Sequence, residues 1–238
     1  MSRSVATPIV PAVLVNTITT RQRIDMAIRS GLHVLLYGPP GFGKSFVARQ
    51  SIVERLGVEP AAIVLPEDCA VAELRGHYIP RGSEWIWKDG PVTRALRDGS
   101  PVILDEISHA SAEAVTFLHQ CLDRTPRIEL PTCEAVTKLP FVAIATTNDD
   151  PGRLRPALLD RFGVVIHVDK PSDEAYDALM FGDIARKEGA TSLRSWANLE
   201  TAVRNGLELS EAAELIFPGR GQDFCDALSV ASIAKAAK

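Results

Sequence analysis

None of the four cysteines (Cys69, Cys121, Cys133, Cys225) stands in a C-x-x-C pair, so a metal or disulfide framework is not expected and reduced thiols are. The five histidines (His33, His77, His109, His119, His167) are equally scattered, without the spacing of a zinc site. No apolar run approaches the length that spans a bilayer. Met1 to Asn16 carries one arginine and a short apolar stretch broken by Pro8 and Pro11. A secretory leader needs a longer uninterrupted core, so the expectation is a cytoplasmic protein without membrane insertion. Positive charge is not in excess: 26 basic residues face 30 acidic ones, a net charge of −4. A general nucleic-acid binder is therefore not favoured.

Against these absences, one segment carries strong chemistry. Residues Gly38-Pro39-Pro40-Gly41-Phe42-Gly43-Lys44-Ser45 form a complete G-x-x-x-x-G-K-S loop. It follows the apolar run His33–Tyr37 and precedes a helix-like stretch from Phe46 to Leu56, which is the context a phosphate-binding loop requires. The glycines let backbone N–H groups turn inward toward an anion, and the helix adds its positive N-terminal end. Lys44 would reach the β- and γ-phosphates of a nucleoside triphosphate, and the Ser45 hydroxyl would ligate Mg²⁺.

Apolar runs at Ala61–Leu65, Pro101–Leu104, Phe141–Ala145 and Val164–Val168 read as four more strands, the second of the chain being buried like the rest. Helical patterns over Thr20–Ser30, 46–56, 90–99 and Ser111–Arg124 alternate with them. Alternation of this kind means a parallel sheet covered on both faces, hence an α/β fold. His77–Lys88 reads as a hairpin with its tip at Pro80–Ser83, and a second lies around Pro131–Glu134. The aromatics Tyr78, Trp85 and Trp87 either pack on their own domain or arm an exposed loop. From Pro171 the strand runs cease and four helical patterns remain, about 172–188, 192–204, 210–216 and 221–236. The expected division is a nucleotide-binding core over 1–170 and a helical lid over 171–238.

The third strand ends in Asp105-Glu106. Asp105 is suited to hold Mg²⁺ together with Ser45, and Glu106 to polarise a water for attack on the γ-phosphate. The fourth ends in Ala145-Thr146-Thr147-Asn148, where the amide of Asn148 can orient that water. Arg153, Arg155 and Arg161 crowd the segment that follows. An arginine offered to a neighbour's γ-phosphate is worth about 10³–10⁵ in rate.

Together with Trp87-Lys88-Asp89-Gly90-Pro91 and Leu158-Leu159-Asp160-Arg161-Phe162, these blocks resemble an AAA+ ATPase, more narrowly the MoxR/CbbQ branch with its dynein-related relatives. The resemblance runs from about Thr20 to Ala237. It implies a P-loop sheet of five parallel strands in order 5-1-4-3-2 with a small all-α lid behind it, and ring assembly, usually hexameric, around Mg²⁺ and ATP. The implied nucleotide-binding residues are those of the loop plus Phe46, with Ser45 and Asp105 on the metal. Glu106 is implied as the catalytic acid, Asn148 as sensor 1 and Arg161 as the arginine acting on the adjacent subunit. Arg220 matches the lid arginine by position, and Arg155 is a second candidate in trans. The two hairpins fall where family members carry inserts, which favours exposed loops. A separate von Willebrand A-domain protein or other client is the implied partner. Two further readings stay open, a nucleic-acid-directed motor that uses GTP and a nucleotide switch that assembles without hydrolysis.

Overall fold

The computed structural model describes residues 18–221, apart from Asp68, residues 124–126, Lys138 and Thr191, together with Asp226. Helix α1 (Thr20–Arg29) starts in a capping box: Gln22 N–H donates to Thr19 Oγ1 while Thr19 N–H donates to Gln22 Oε1, which satisfies two otherwise orphaned donors. Then follow β1 (Val34–Tyr37), α2 (Lys44–Leu56), β2 (Ala61–Val64) and α3 (Val71–Arg75). A hairpin of β3 (Gly76–Arg81) and β4 (Glu84–Asp89) leads to α4 (Pro91–Asp98), β5 (Val102–Asp105) and α5 (Ala112–Leu122). A second hairpin, β6 (Arg127–Glu129) and β7 (Ala135–Thr137), precedes β8 (Ala143–Thr147), α6 (Pro156–Leu159) and β9 (Val164–His167). The chain continues through α7 (Asp173–Asp177), α8 (Gly182–Lys187), α9 (Leu193–Arg204) and α10 (Leu209–Ile216).

Five of the strands form one parallel sheet, β2-β5-β8-β1-β9. Numbered along the chain and read from the opposite edge, this is the order 5-1-4-3-2. Successive side chains of a strand point to opposite faces, and the sheet accordingly separates two apolar layers. Leu35, Val102, Leu104, Ala143 and Ala145 meet α3, α4 and α5 on one face. Val34, Leu36, Ile103, Ile144 and Ile166 meet α1 and α2 on the other. Burying each of the larger aliphatic side chains contributes roughly 1.5–3 kcal/mol. The central strands thus read as unbroken apolar runs because both faces are covered.

At the edge the expectation fails. Strand β2 pairs with β5 alone among the described strands, its burial alternates, and Val64 is 63% exposed. The run over 172–188 is two short helices, not one. Between them Phe181 turns into the lid's apolar cluster, while the Met180 N–H donates to the carboxylate of the buried Glu200 at 3.0 Å. That cluster, with Tyr176, Ile184, Trp196 and Leu199, draws its residues from α7 to α10 and their connections. The expected helix over 221–236 and Cys225 fall outside the described residues, save for Gly221 and Asp226.

Both hairpins form, and their aromatics divide. Trp87 packs against the core and donates its indole N–H to Asp89 at 2.7 Å, with Tyr78 edge-on against it. Trp85 stays 68% exposed. Arg97 on α4 joins the two hairpins, donating to Asp89 of one and through both terminal nitrogens to Glu134 of the other.

Candidate active site at the strand ends

The glycine-rich loop lies between β1 and α2, and the carboxyl ends of β5 and β8 open onto the same cleft of about 630 Å³. Ligands of open α/β sheets bind outside the carboxyl ends of the strands, and the buried β1 fixes the loop there. Lys44, in the first turn of α2, is 7% exposed. Its Nζ donates to Gly38 O at 2.8 Å, Pro39 O at 2.9 Å and Asn148 Oδ1 at 2.7 Å. All three ammonium donors therefore rest on oxygens within the cradle. Burial lowers the Lys44 pKa; Glu106 and Asp105 oppose that shift, and Arg194 adds to it.

The acidic pair converges on the same place. Ser45 Oγ donates to Asp105 Oδ1 at 2.6 Å. Asn148 Nδ2 donates to Glu106 Oε1 at 2.6 Å, so one amide links Lys44 to Glu106. The second oxygen of Glu106 is buried and has no hydrogen-bond partner, which leaves an acceptor unused. The donor set suits magnesium. A hydroxyl and a carboxylate are too few for an all-protein cage, and Mg²⁺ is typically bound through one or two carboxylates together with substrate phosphates and water. Among the described residues no cluster of three or more His, Cys, Asp or Glu side chains offers another metal site.

The structure thus brings together Pro40, Gly41, Gly43, Lys44, Ser45 and Phe46 with Asp105, Glu106 and Asn148, while Gly38 and Pro39 reach the site through their carbonyls to Lys44. Phe42 instead packs against the apolar layer on the α1 and α2 face. It does not bring Arg161 or Arg220 into that cleft. Arg161, following α6, pairs with Asp123 at 3.2 Å and Asp160 at 3.0 Å. Arg155 is the residue before α6.

Arg220 is half exposed and donates to Glu188 at 2.7 Å, beyond α8. The lid arginine that does line the cleft is Arg194, on the first turn of α9. It is delivered there because Leu193 N–H donates to Gly41 O at 2.9 Å, which holds the start of α9 against the phosphate loop. Sequence reasoning passed over Arg194, although a signal existed. A cation in the first turn of a helix opposes the helix dipole, a modest cost that a facing anion offsets.

A sheet in this order, with a phosphate loop after its first strand and an acidic pair at the end of its third, defines a P-loop NTPase core. Residues 33–162, more than half of the chain, match the model of the AAA domain, dynein-related subfamily. The chain belongs to that family, on its MoxR/CbbQ branch. Protein NorQ of Paracoccus denitrificans is 35% identical over 156 residues, 62% of this chain and 56% of that protein. Denitrification regulatory protein NirQ of Pseudomonas aeruginosa is 30% identical over 167 residues, 67% of this chain and 63% of that one. Protein CbbQ of Hydrogenophilus thermoluteolus is 31% identical over 103 residues, 43% and 38% of the respective chains. The chain spans between 56% and 63% of the first two relatives. A crystal structure from Cytophaga hutchinsonii, of a protein assigned as an ATPase, shares the fold with a TM-score of 0.50 at 22% identity, covering 71% of this chain and 49% of its own.

Proposed function

We propose that this chain hydrolyses Mg²⁺-ATP in an oligomeric ring, usually a hexamer in this family, and uses the turnover to remodel or activate a partner protein. The observation that carries the proposal is the unbroken chain Lys44–Asn148–Glu106 beside the Ser45–Asp105 pair, all in one cleft. Ser45 and Asp105 would hold the magnesium ion, which would supply neutralisation of phosphate charge. Lys44 exchanges its loop carbonyls for phosphate oxygens, and the loop's N–H groups cradle the remaining charge. Asn148 positions Glu106, whose unpartnered oxygen accepts a hydrogen bond from the attacking water. Arg194 reaches the nucleotide from the lid, in the role the sequence had suggested for Arg220. Arg161 acts on a neighbouring subunit's nucleotide, and to do so it must leave Asp123.

The separate apolar cluster of α7 to α10 supports a core over 1–170 and a lid over 171–238, with Leu193 and Arg194 carrying lid position to the phosphate loop. The partner is a separate protein, a von Willebrand A-domain protein or other client. The name of one relative, denitrification regulatory protein, is compatible with action on another protein.

Mixing variants tests the proposal. Glu106→Gln subunits bind ATP without cleaving it, and Arg161→Ala subunits cleave nothing because their neighbours lack the arginine. Mixed rings regain part of the phosphate release. Two variants that stay inactive together at every ratio would remove the catalysis in trans. A wild-type chain that releases no phosphate from Mg²⁺-ATP at any concentration would remove the ATPase.

A further inference from the structure

We propose that Thr146 is a positioning residue for the acidic pair, its hydroxyl aiming the Asp105 carboxylate and holding the backbone of Glu106 in its bend. The inference rests on the ATP-hydrolysing reading above and extends it to a side chain that lines the same cleft and acts through Asp105 and Glu106. Thr146 is the penultimate residue of β8, which lies between β5 and β1. It is 3% exposed. A buried hydroxyl in a strand is costly unless it is hydrogen-bonded, and valine would fill the same space.

A threonine hydroxyl has one proton to give and two lone pairs. Thr146 gives its proton to Asp105 Oδ1 at 2.8 Å and accepts the Glu106 N–H at 3.4 Å. The same Oδ1 accepts from Ser45 Oγ at 2.6 Å. The carboxylate is thus fixed from its own sheet while its other partner sits on the phosphate-loop helix. Glu106 adopts φ 59° and ψ 43°, a left-handed conformation that a non-glycine residue keeps only when its surroundings over-determine it. Two contacts do so here. Thr146 holds the N–H, and the Glu106 carbonyl accepts the His109 N–H at 2.9 Å. One hydroxyl accordingly sets the direction of the metal-binding acid and the bend that turns Glu106 toward Asn148. The neighbouring Thr147 has other work, giving its proton to Ser108 Oγ and accepting the Asp149 N–H.

The test compares Thr146→Val, which removes both contacts at nearly constant shape, with Thr146→Ser, which keeps the hydroxyl and loses the methyl. Binding of a fluorescent ATP analogue to the full chain is followed at graded Mg²⁺ and again in EDTA. Thr146→Val is expected to raise the Mg²⁺ concentration for half-maximal effect by about 10–100-fold, the usual consequence of losing an outer partner of a metal-binding group. Affinity in EDTA should change far less than the Mg²⁺ dependence, because the Lys44 contacts to Gly38 and Pro39 do not involve Thr146, and kcat at saturating Mg²⁺ should fall. Thr146→Ser should restore all of these. Should the valine variant fail to fold, Thr146→Ala removes the same hydroxyl without added bulk and is read in the same way. Wild-type Mg²⁺ dependence in the hydroxyl-less variant overturns the proposal, and so does a serine variant as impaired as the valine one. If the unmodified chain binds no ATP analogue, the ATPase reading itself falls and takes this inference with it.

Discussion

Replacing Gly41 by alanine should loosen the lid from the phosphate loop, and the size of the effect follows from two separable costs. Gly41 has φ +80°, and placing an L-residue in the left-handed region costs about 1–2 kcal/mol. Its Cβ would also lie 2.2 Å from Ser192 Oγ, 2.9 Å from Ser192 Cβ and 3.1 Å from Ser192 Cα. The start of α9 must retreat, breaking the hydrogen bond from Leu193 N–H to Gly41 O, which is worth about 0.5–1.5 kcal/mol net. The total is about 1.5–3.5 kcal/mol, the sum of the backbone and hydrogen-bond costs. Gly57→Ala is the matched control. Gly57 has φ +69° with nothing within 4 Å of its added Cβ, so it bears the backbone cost alone. Each kcal/mol lowers Tm by about 2–4 °C in a chain of this size, which a thermal melt resolves. The lid contribution should also weaken ATP binding by about 2–12-fold in Gly41→Ala, the equivalent of 0.5–1.5 kcal/mol, and leave Gly57→Ala unchanged. Adding Ser192→Gly to Gly41→Ala removes the two nearest obstacles and should recover part of both losses. If Gly41→Ala matches Gly57→Ala in melting and in affinity, or if Ser192→Gly recovers nothing, the contact between lid and loop does not have the energetic role assigned to it.

Two further outcomes are expected. Arg194→Ala should weaken binding of ATP several-fold by titration, whereas Arg220→Ala, which alters a pair with Glu188 away from the cleft, should leave affinity within error; the opposite pattern would return the lid role to Arg220. Because burial lowers the Lys44 pKa, the free protein releases that proton at a lower pH than an ordinary lysine does. Bound phosphate favours the charged form, so ATP binding in the alkaline range should take up protons and weaken as pH rises. Calorimetry near pH 9 in buffers of different ionisation heat measures the uptake, and identical binding heats in all of them would contradict it.

The composition of the loop Gly38–Ser45 and the pair Asp105-Glu106 made the expected chemistry legible before any coordinate, because each depends on residues adjacent in the chain, whereas Asn148 drew its weight from its place at the end of the fourth strand. The same holds for the central strands, where coverage on both faces writes itself as an unbroken apolar run. Strand β2 shows where that reading stops: Ala61–Val64 has the composition of a core strand, yet its place at the sheet edge leaves Val64 exposed. The two helices within 172–188 were equally hidden, since their break is fixed by Glu200 reaching back from α9 to cap Met180.

By itself, then, the sequence determined that a phosphate-binding loop, an acidic strand end and a helical tail exist in this order. Local hydrogen-bonding geometry and side-chain periodicity act over a few residues, and a few residues are enough to see them. Only the tertiary structure decided which distant groups meet: Lys44 with Asn148, Thr146 with Asp105, and Arg194 with the cleft at the strand ends. Those meetings depend on the order of strands in the sheet and on where α9 docks, both set by packing over the whole chain and by no stretch of it alone.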